Sequence, residues 1–129
     1  MFTIVLALQK QGVTDYIYSF LGDKNIVIKY GLSSFAMSNV INNIPMSVLF
    51  SKVISFTDAL TLKQAIYSTI IGSNIGAFLT PIGALAGIMF TDLVRRQEVK
   101  YSFINFIKYG IIISIPTLLI ALLSLFITL

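Results

Sequence analysis

Three long stretches of this sequence carry no charged side chain, and they restrict the possible folds more than any other feature. The stretches are residues 30–51, 64–90 and 109–129. A helix needs about 20 mostly apolar residues to cross a hydrocarbon core about 30 Å thick, and the last two stretches are both long enough and mostly apolar. Only 11% of the residues are charged, against about 25% in soluble domains. The sequence therefore predicts an all-α integral membrane protein, with residues 1–129 forming a single membrane domain.

The residue types that are missing exclude several kinds of chemistry. Without cysteine and histidine, the chain has no disulfide, thiol nucleophile or thiolate metal site, and it lacks the usual near-neutral base. Its net charge is +4, but the cationic side chains are scattered along the sequence and do not form the basic stripe of a nucleic-acid binder. We therefore predict that the chain is not an enzyme, holds no metal, binds no nucleic acid, and lies in the lipid bilayer of the plasma membrane as a multi-pass protein.

Polar connectors divide the chain into four apolar segments, which are residues 1–9, 30–51, 62–94 and 103–128. The first is too short to span and is typical of the end of a truncated helix, so we predict that the chain is a fragment. In the last, a final span, Pro116 is predicted to be a structural kink. Within the first connector, residues 15–21 fit an interfacial helix or an ordinary loop equally well. The spacing of Thr61 and Gln64 predicts a capping box.

The segment 62–94 is too long for one straight spanning helix. The 27 uncharged residues 64–90 alone would extend about 40 Å at about 1.5 Å each. Residues 72–76 and 80–83 interrupt the apolar pattern with glycine, proline and polar side chains. Proline removes a helical hydrogen bond and glycine frees the backbone. We therefore predict a discontinuous transmembrane helix with an unwound middle.

The distribution of positive charge predicts the orientation. The short loop 95–100 holds three cations and one acidic side chain, and short loops dense in lysine and arginine stay in the cytoplasm. With the loop 95–100 cytoplasmic, the connector 52–63 and the C-terminus lie outside. Residues 30–51 then enter and leave the membrane on one side, as a re-entrant hairpin.

Polar side chains concentrate at these two broken elements. They are Ser38, Asn39, Asn42, Asn43 and Pro45 in the hairpin, and Ser73, Asn74, Gly76, Thr80, Pro81 and Gly83 in the broken helix. Irregular backbone and amide groups at membrane depth must be buried in protein or line a water-filled cavity. Half-helix ends and freed carbonyls at such breaks can hold an ion or a polar substrate, although small and amide residues also pack helices together. We predict that the two groups form a substrate-binding or ion-binding site.

The segments SNVINNIP, at 38–45, and IIGSNIGAFLTPIGALAGIMF, at 70–90, resemble the arsenite efflux permease family, the arsenical pump membrane proteins. This family belongs to a wider ion transporter superfamily, and the resemblance runs nearly end to end. It implies that the chain is the second, C-terminal repeat of a partial inverted-repeat transporter. It also implies that residues 38–45 form a hairpin tip facing the unwound helix, with substrate and a coupling ion, Na⁺ or H⁺, between them. No other cofactor is implied.

The resemblance implies a secondary transporter that exports a small anion, with Asn39 and Asn74 holding the substrate or ion. It further implies a partner that supplies the first repeat, or a homo-oligomer. Gly76 is followed by Ala77 and Phe78, where many arsenite permeases have a proline and then a polar or basic residue. Another small anion, such as a dicarboxylate, is therefore one alternative. A non-transporting accessory or remnant membrane subunit is the other.

Overall fold

The computed structural model describes residues 2–22, 24–99 and 101–129, which form helices and connecting turns without any strand. The helices are α1 (Phe2–Lys10), α2 (Val13–Leu21), α3 (Ile26–Ile41), α4 (Asn43–Ile54), α5 (Leu62–Gly76), α6 (Leu85–Arg96) and α7 (Phe103–Thr128). This confirms the all-α part of the predicted fold. Met1, Asp23 and Lys100 lie outside the described residues, so the segment 1–9, the first connector and the loop 95–100 are each described only in part.

By length and apolar composition, α7 is the one helix within the described residues that could cross a membrane unaided. It stays helical past Pro116. The uncharged stretch 64–90, also long enough in the sequence, is divided between α5 and α6. The non-helical residues between them, which we call the 77–84 segment, contain both Pro81 and Gly83.

Helices α3 and α4 form a tight hairpin whose turn is the single residue Asn42. Its φ of 69° is uncommon for a residue with a side chain, and asparagine tolerates it better than most. The Asn42 side-chain oxygen accepts a hydrogen bond from the Ile44 N–H at 3.4 Å, as a helix N-cap does. Pro45 follows in the first turn of α4, where a missing N–H breaks no helical bond. The polar turn thus begins a new helix.

Small residues let α3 and α5 approach closely. Gly72 and Gly76 share one face of α5 because they are four positions apart. A Cβ at Gly72 would overlap the Gly31 carbonyl and the Ser34 hydroxyl, and one at Gly76 would overlap the Ser38 hydroxyl. The backbones of α3 and α5 therefore meet without intervening side chains, which fixes the hairpin against α5.

Two clusters of buried apolar side chains hold the helices together. The larger joins α2, α3, α4 and α5 through Leu21, Ile26, Tyr30, Met46, Phe50, Val53, Ile54 and Ala65. The smaller attaches α7 to α3 through Val27, Leu118 and Leu122. The opposite face of α7 exposes large apolar side chains such as Ile112, Leu119 and Ile127, as expected of a helix whose outer face lies in lipid.

The structure decides three predictions of local structure. Residues 72–76 do not unwind as predicted: α5 stays regular through Gly76, because the glycine face that packs on α3 depends on helical spacing. Of the two possibilities for residues 15–21, the structure has a helix, α2. The predicted capping box is wrong, because the Thr61 hydroxyl donates to the Asp58 carbonyl at 3.2 Å and makes no bond to α5.

Candidate functional site

The hairpin turn and the 77–84 segment are hydrogen-bonded to each other. The Thr80 hydroxyl donates to the Asn39 side-chain oxygen at 2.8 Å. The Asn42 amide nitrogen lies 3.4 Å from the Ile82 carbonyl and donates to it. These bonds join positions 40 and 41 residues apart in the chain, so the structure brings the two predicted groups into one site.

Gly83 permits the closest approach of the 77–84 segment to the hairpin. Its carbonyl accepts a hydrogen bond from the Asn43 N–H at 3.1 Å. A Cβ at Gly83 would lie 2.9 Å from the Asn39 side-chain oxygen and 3.0 Å from the Ala77 Cα. Any side chain larger than hydrogen would therefore push the segment away from the hairpin.

The Asn39 amide has its hydrogen-bond partners inside the fold. Its nitrogen donates to the Phe35 carbonyl at 2.9 Å and lies 3.5 Å from the Ser38 hydroxyl oxygen, while its oxygen accepts from Thr80. Both ends of the Asn42 amide also have partners: its nitrogen donates to the Ile82 carbonyl, and its oxygen accepts from the Ile44 N–H. These two amides hold the site in shape.

Thr80→Val removes the bond between the two elements and leaves the side-chain shape nearly unchanged. We expect the free energy of unfolding to fall by about 1–2 kcal/mol, because a hydrogen bond contributes about 1 kcal/mol and Asn39 is left without its donor. Thr91→Val is the matched control, since the Thr91 hydroxyl is bonded only within α6, to the Ile88 carbonyl. Denaturant unfolding in detergent, followed by circular dichroism, measures both. Equal losses in the two variants would contradict the bridging role of Thr80.

Asn43 and Asn74 differ from the other two asparagines. Neither side-chain amide makes a hydrogen bond to any residue that the structure describes. Both line a cavity of about 770 Å³, and Asn74 is exposed. Of the other predicted site residues, Thr80 is half-buried, and the buried ones are Ser38, Pro45, Ser73, Gly76, Pro81 and Gly83. None of these seven lines this cavity.

The rest of this cavity, which we call the asparagine cavity, is apolar and aromatic. Its other lining residues are Ala77, Phe78, Ala84, Ala86, Gly87, Phe90, Tyr101, Phe106, Tyr109, Gly110 and Ile113. Phe90 contacts Tyr101 and Phe106 edge-on, with ring centroids 5.8 and 6.1 Å apart. None of the described lining residues is charged. The site can therefore offer amide hydrogen bonds beside an apolar and aromatic surface.

Phe90, Tyr101 and Phe106 form an aromatic wall, and sequence reasoning singled out none of them. Nothing in the local pattern marks these three, because α6, α7 and the turn before α7 bring them together only in the folded chain. Gly110 is part of the same arrangement. A Cβ there would lie 2.6 and 2.7 Å from the carbonyl oxygens of Phe78 and Leu79, so α7 lies directly against the start of the 77–84 segment.

Comparison with known proteins identifies the family. A family model, ArsB, described as "Arsenical pump membrane protein", matches residues 1–129. The chain belongs to this family. The arsenical pump membrane protein of Yersinia enterocolitica is 29% identical over 97% of the chain. That of Escherichia coli K12 is 26% identical over 97%, and a putative arsenical pump membrane protein of Bacillus subtilis 168 is 27% identical over 98%. No solved structure matches the chain.

Membership of the arsenical pump membrane protein family confirms the resemblance seen in SNVINNIP and in residues 70–90, and it assigns the chain to a family of membrane transporters. The matched regions cover 31% of the Yersinia and Escherichia relatives and 30% of the Bacillus one. The chain thus spans about a third of the length of these curated relatives.

Proposed function

We propose that the chain is part of a secondary transporter that exports arsenite, and that the asparagine cavity carries this chain's share of the substrate site. The observation that carries the proposal is the family match over residues 1–129. The relatives that match along nearly all of the chain are named arsenical pumps. The unpaired amides at the hairpin turn and at the end of α5 give the proposal a location.

The lining of the asparagine cavity supports a small, hydroxylated substrate. Arsenite near neutral pH is mostly the uncharged trihydroxide, which both donates and accepts hydrogen bonds. The amides of Asn43 and Asn74 also do both. A dicarboxylate would bring two charges into a site whose described lining has no cation, and an unpaired charge is costly at membrane depth. The lining therefore favours arsenite over the dicarboxylate alternative.

The lengths of the helices support the predicted arrangement in the membrane. Helices α3 and α4 are apolar but too short to span, which suits a re-entrant hairpin. Helices α5 and α6 suit the two halves of a discontinuous span, and α7 suits a complete one. In this arrangement the loop 95–100 is cytoplasmic. Broken elements of this kind build midplane sites in inverted-repeat transporters.

The predicted site residues take different roles in this proposal. Asn43 and Asn74 contact the substrate. Ser38, Asn39, Asn42 and Pro45 shape the hairpin turn, Ser73 and Gly76 belong to the end of α5 that packs on it, and Thr80, Pro81 and Gly83 hold the 77–84 segment in place. A coupling Na⁺ would fit at the carbonyl groups that the 77–84 segment leaves outside a helix, whereas a coupling H⁺ would need a titratable side chain. This moves the substrate role predicted for Asn39 to its neighbour in space, Asn43.

The length comparison supports one alternative, an accessory or remnant subunit that does not transport by itself. The chain spans only about a third of its relatives, and among the described residues that line the asparagine cavity two, Asn43 and Asn74, bring free amides. In the transporter proposal, a partner carrying the first repeat or a second copy of the chain supplies the remaining contacts.

Arsenite accumulation in cells that lack their own efflux pump distinguishes these functions. The chain is expressed alone, and then with a segment covering the remaining length of the Yersinia relative. We expect accumulation to fall only when both are present. Unchanged accumulation, with both chains found in the membrane, would contradict arsenite export. Reduced accumulation with the chain alone would contradict the need for a first-repeat partner. The homo-oligomer would then be the remaining way to complete the site.

A further inference from the structure

A second cavity, of about 390 Å³, lies between α4 and α5 and shares no lining residue with the asparagine cavity. It extends from the 55–61 loop along nearly the whole α4–α5 pair, as far as Ser47 and Ser73. Four isoleucine and leucine side chains and five hydroxyl side chains line it. The five are Ser47, Ser51, Ser55, Thr69 and Ser73. We call this cavity the hydroxyl groove. The proposed arsenite site leaves it without a function.

The serine hydroxyls of the hydroxyl groove offer acceptors and no free protons. Ser47, Ser51 and Ser55 are four positions apart, so they share one face of α4 and of the turn at its end. Each donates its proton to a carbonyl three or four residues earlier, at 2.6–2.8 Å, and Ser73 does the same in α5 at 3.1 Å. A hydroxyl has one proton to donate. Toward an occupant of the groove, these four side chains can therefore act only through their oxygen lone pairs.

Thr69 points to such an occupant. It is 6% exposed, and its hydroxyl oxygen has no hydrogen-bond partner among the described residues. Buried polar groups are ordinarily hydrogen-bonded, and an ordered water molecule is the usual partner where the site is polar and large enough. The hydroxyl groove meets both conditions. Apolar side chains alone could not satisfy Thr69.

We propose that the hydroxyl groove is filled with water, and that a monovalent cation can enter it at the end formed by the 55–61 loop. Its described lining contains no charged side chain that would repel a cation, and oxygen acceptors are the ligands that hard cations take. Lys52, Asp58 and Lys63 are exposed near its mouth and do not line it. The inference rests on the α4–α5 pair and stands apart from the proposed arsenite site.

Single cysteines test the hydroxyl groove directly, because the natural chain has none. Ser51→Cys and Ser47→Cys place a thiol of similar size at the middle and far end of the groove. Leu60→Cys, at a position 93% exposed in the 55–61 loop, is the aqueous reference that experiences the same nearby charges. Ile112→Cys, on the exposed apolar face of α7, is the lipid-facing control. Each variant, in native membranes, is treated with a cationic and an anionic methanethiosulfonate, neither of which crosses lipid.

We expect Ser51→Cys and Ser47→Cys to react with the cationic reagent while Ile112→Cys stays unmodified, because the reactive thiolate forms only in water. The cationic-to-anionic rate ratio in the groove should exceed the ratio at Leu60→Cys by about threefold, below the roughly tenfold that a cleft lined by full charges gives. An unreactive groove, or a ratio no greater than at Leu60→Cys, would overturn the proposal. If Ser51→Cys does not insert, Ser47→Cys alone decides between these outcomes.

Discussion

Asn74→Ala is expected to lower arsenite export by about tenfold or more without displacing the chain from the membrane. The Asn74 amide makes no hydrogen bond within the described structure and lines the asparagine cavity, so the fold loses no hydrogen bond. One or two hydrogen bonds to the substrate, at about 1 kcal/mol each, correspond to roughly tenfold in binding. The initial rate of arsenite extrusion, measured with the first-repeat segment present, gives the effect.

Two other asparagine variants control for this result. Asn105→Ala, in the exposed first turn of α7, removes an amide outside the asparagine cavity, and the Asn105 N–H keeps its bond to the Ser102 hydroxyl. We expect it to export normally. Asn39→Ala should lose export together with stability, because its amide holds Thr80 and the hairpin. Normal export by Asn74→Ala would remove this residue from the substrate site.

Gly72→Ala is expected to lower the free energy of unfolding by about 1–2 kcal/mol, because overfilling a close-packed core costs up to about 3 kcal/mol. The added Cβ would overlap the Gly31 carbonyl and the Ser34 hydroxyl. A carbonyl is part of the backbone, so relief requires moving α3 as a whole and with it the hairpin turn. The higher helix propensity of alanine, about 1 kcal/mol, offsets only part of this loss. Denaturant unfolding in detergent measures the change.

Gly31→Ala is the matched control for Gly72→Ala. It makes the same chemical change on the facing helix and gains the same propensity. Its Cβ would instead meet the end of the Leu122 side chain, at 2.6 Å, which can change rotamer at little cost. We therefore expect a smaller loss than at Gly72. Equal losses, or greater stability of Gly72→Ala, would contradict the close backbone packing of α3 on α5.

Some of the site could be predicted because its causes are local. Asn42 tolerates the φ that a one-residue turn requires, and Pro45 suits the first turn of a helix. Proline and glycine are the two poorest helix formers, and the closeness of Pro81 and Gly83 in the sequence favours a break. For this reason the two groups of polar residues were found from the sequence, and the structure joins them through Asn39 and Thr80.

The roles of individual residues could not be predicted, because they depend on how each helix is rotated against its neighbour. Successive residues of a helix point about 100° apart, given about 3.6 residues per turn. Ser73 therefore lines the hydroxyl groove while Asn74, the next residue, lines the asparagine cavity. The rotation of α5 is fixed by the contacts of Gly72 and Gly76 with α3, which no short motif reveals. The same glycines explain why residues 72–76 stay helical although their composition predicts a break.

Arsenite binding to the asparagine cavity is the central claim, and equilibrium binding tests it most directly. Radiolabelled arsenite is titrated into the purified chain assembled with the first-repeat segment, beside the double variant Asn43→Ala/Asn74→Ala. We predict saturable binding that the double variant loses and that an excess of succinate does not displace. Equal binding by the two proteins would contradict the assignment of the cavity as the arsenite site.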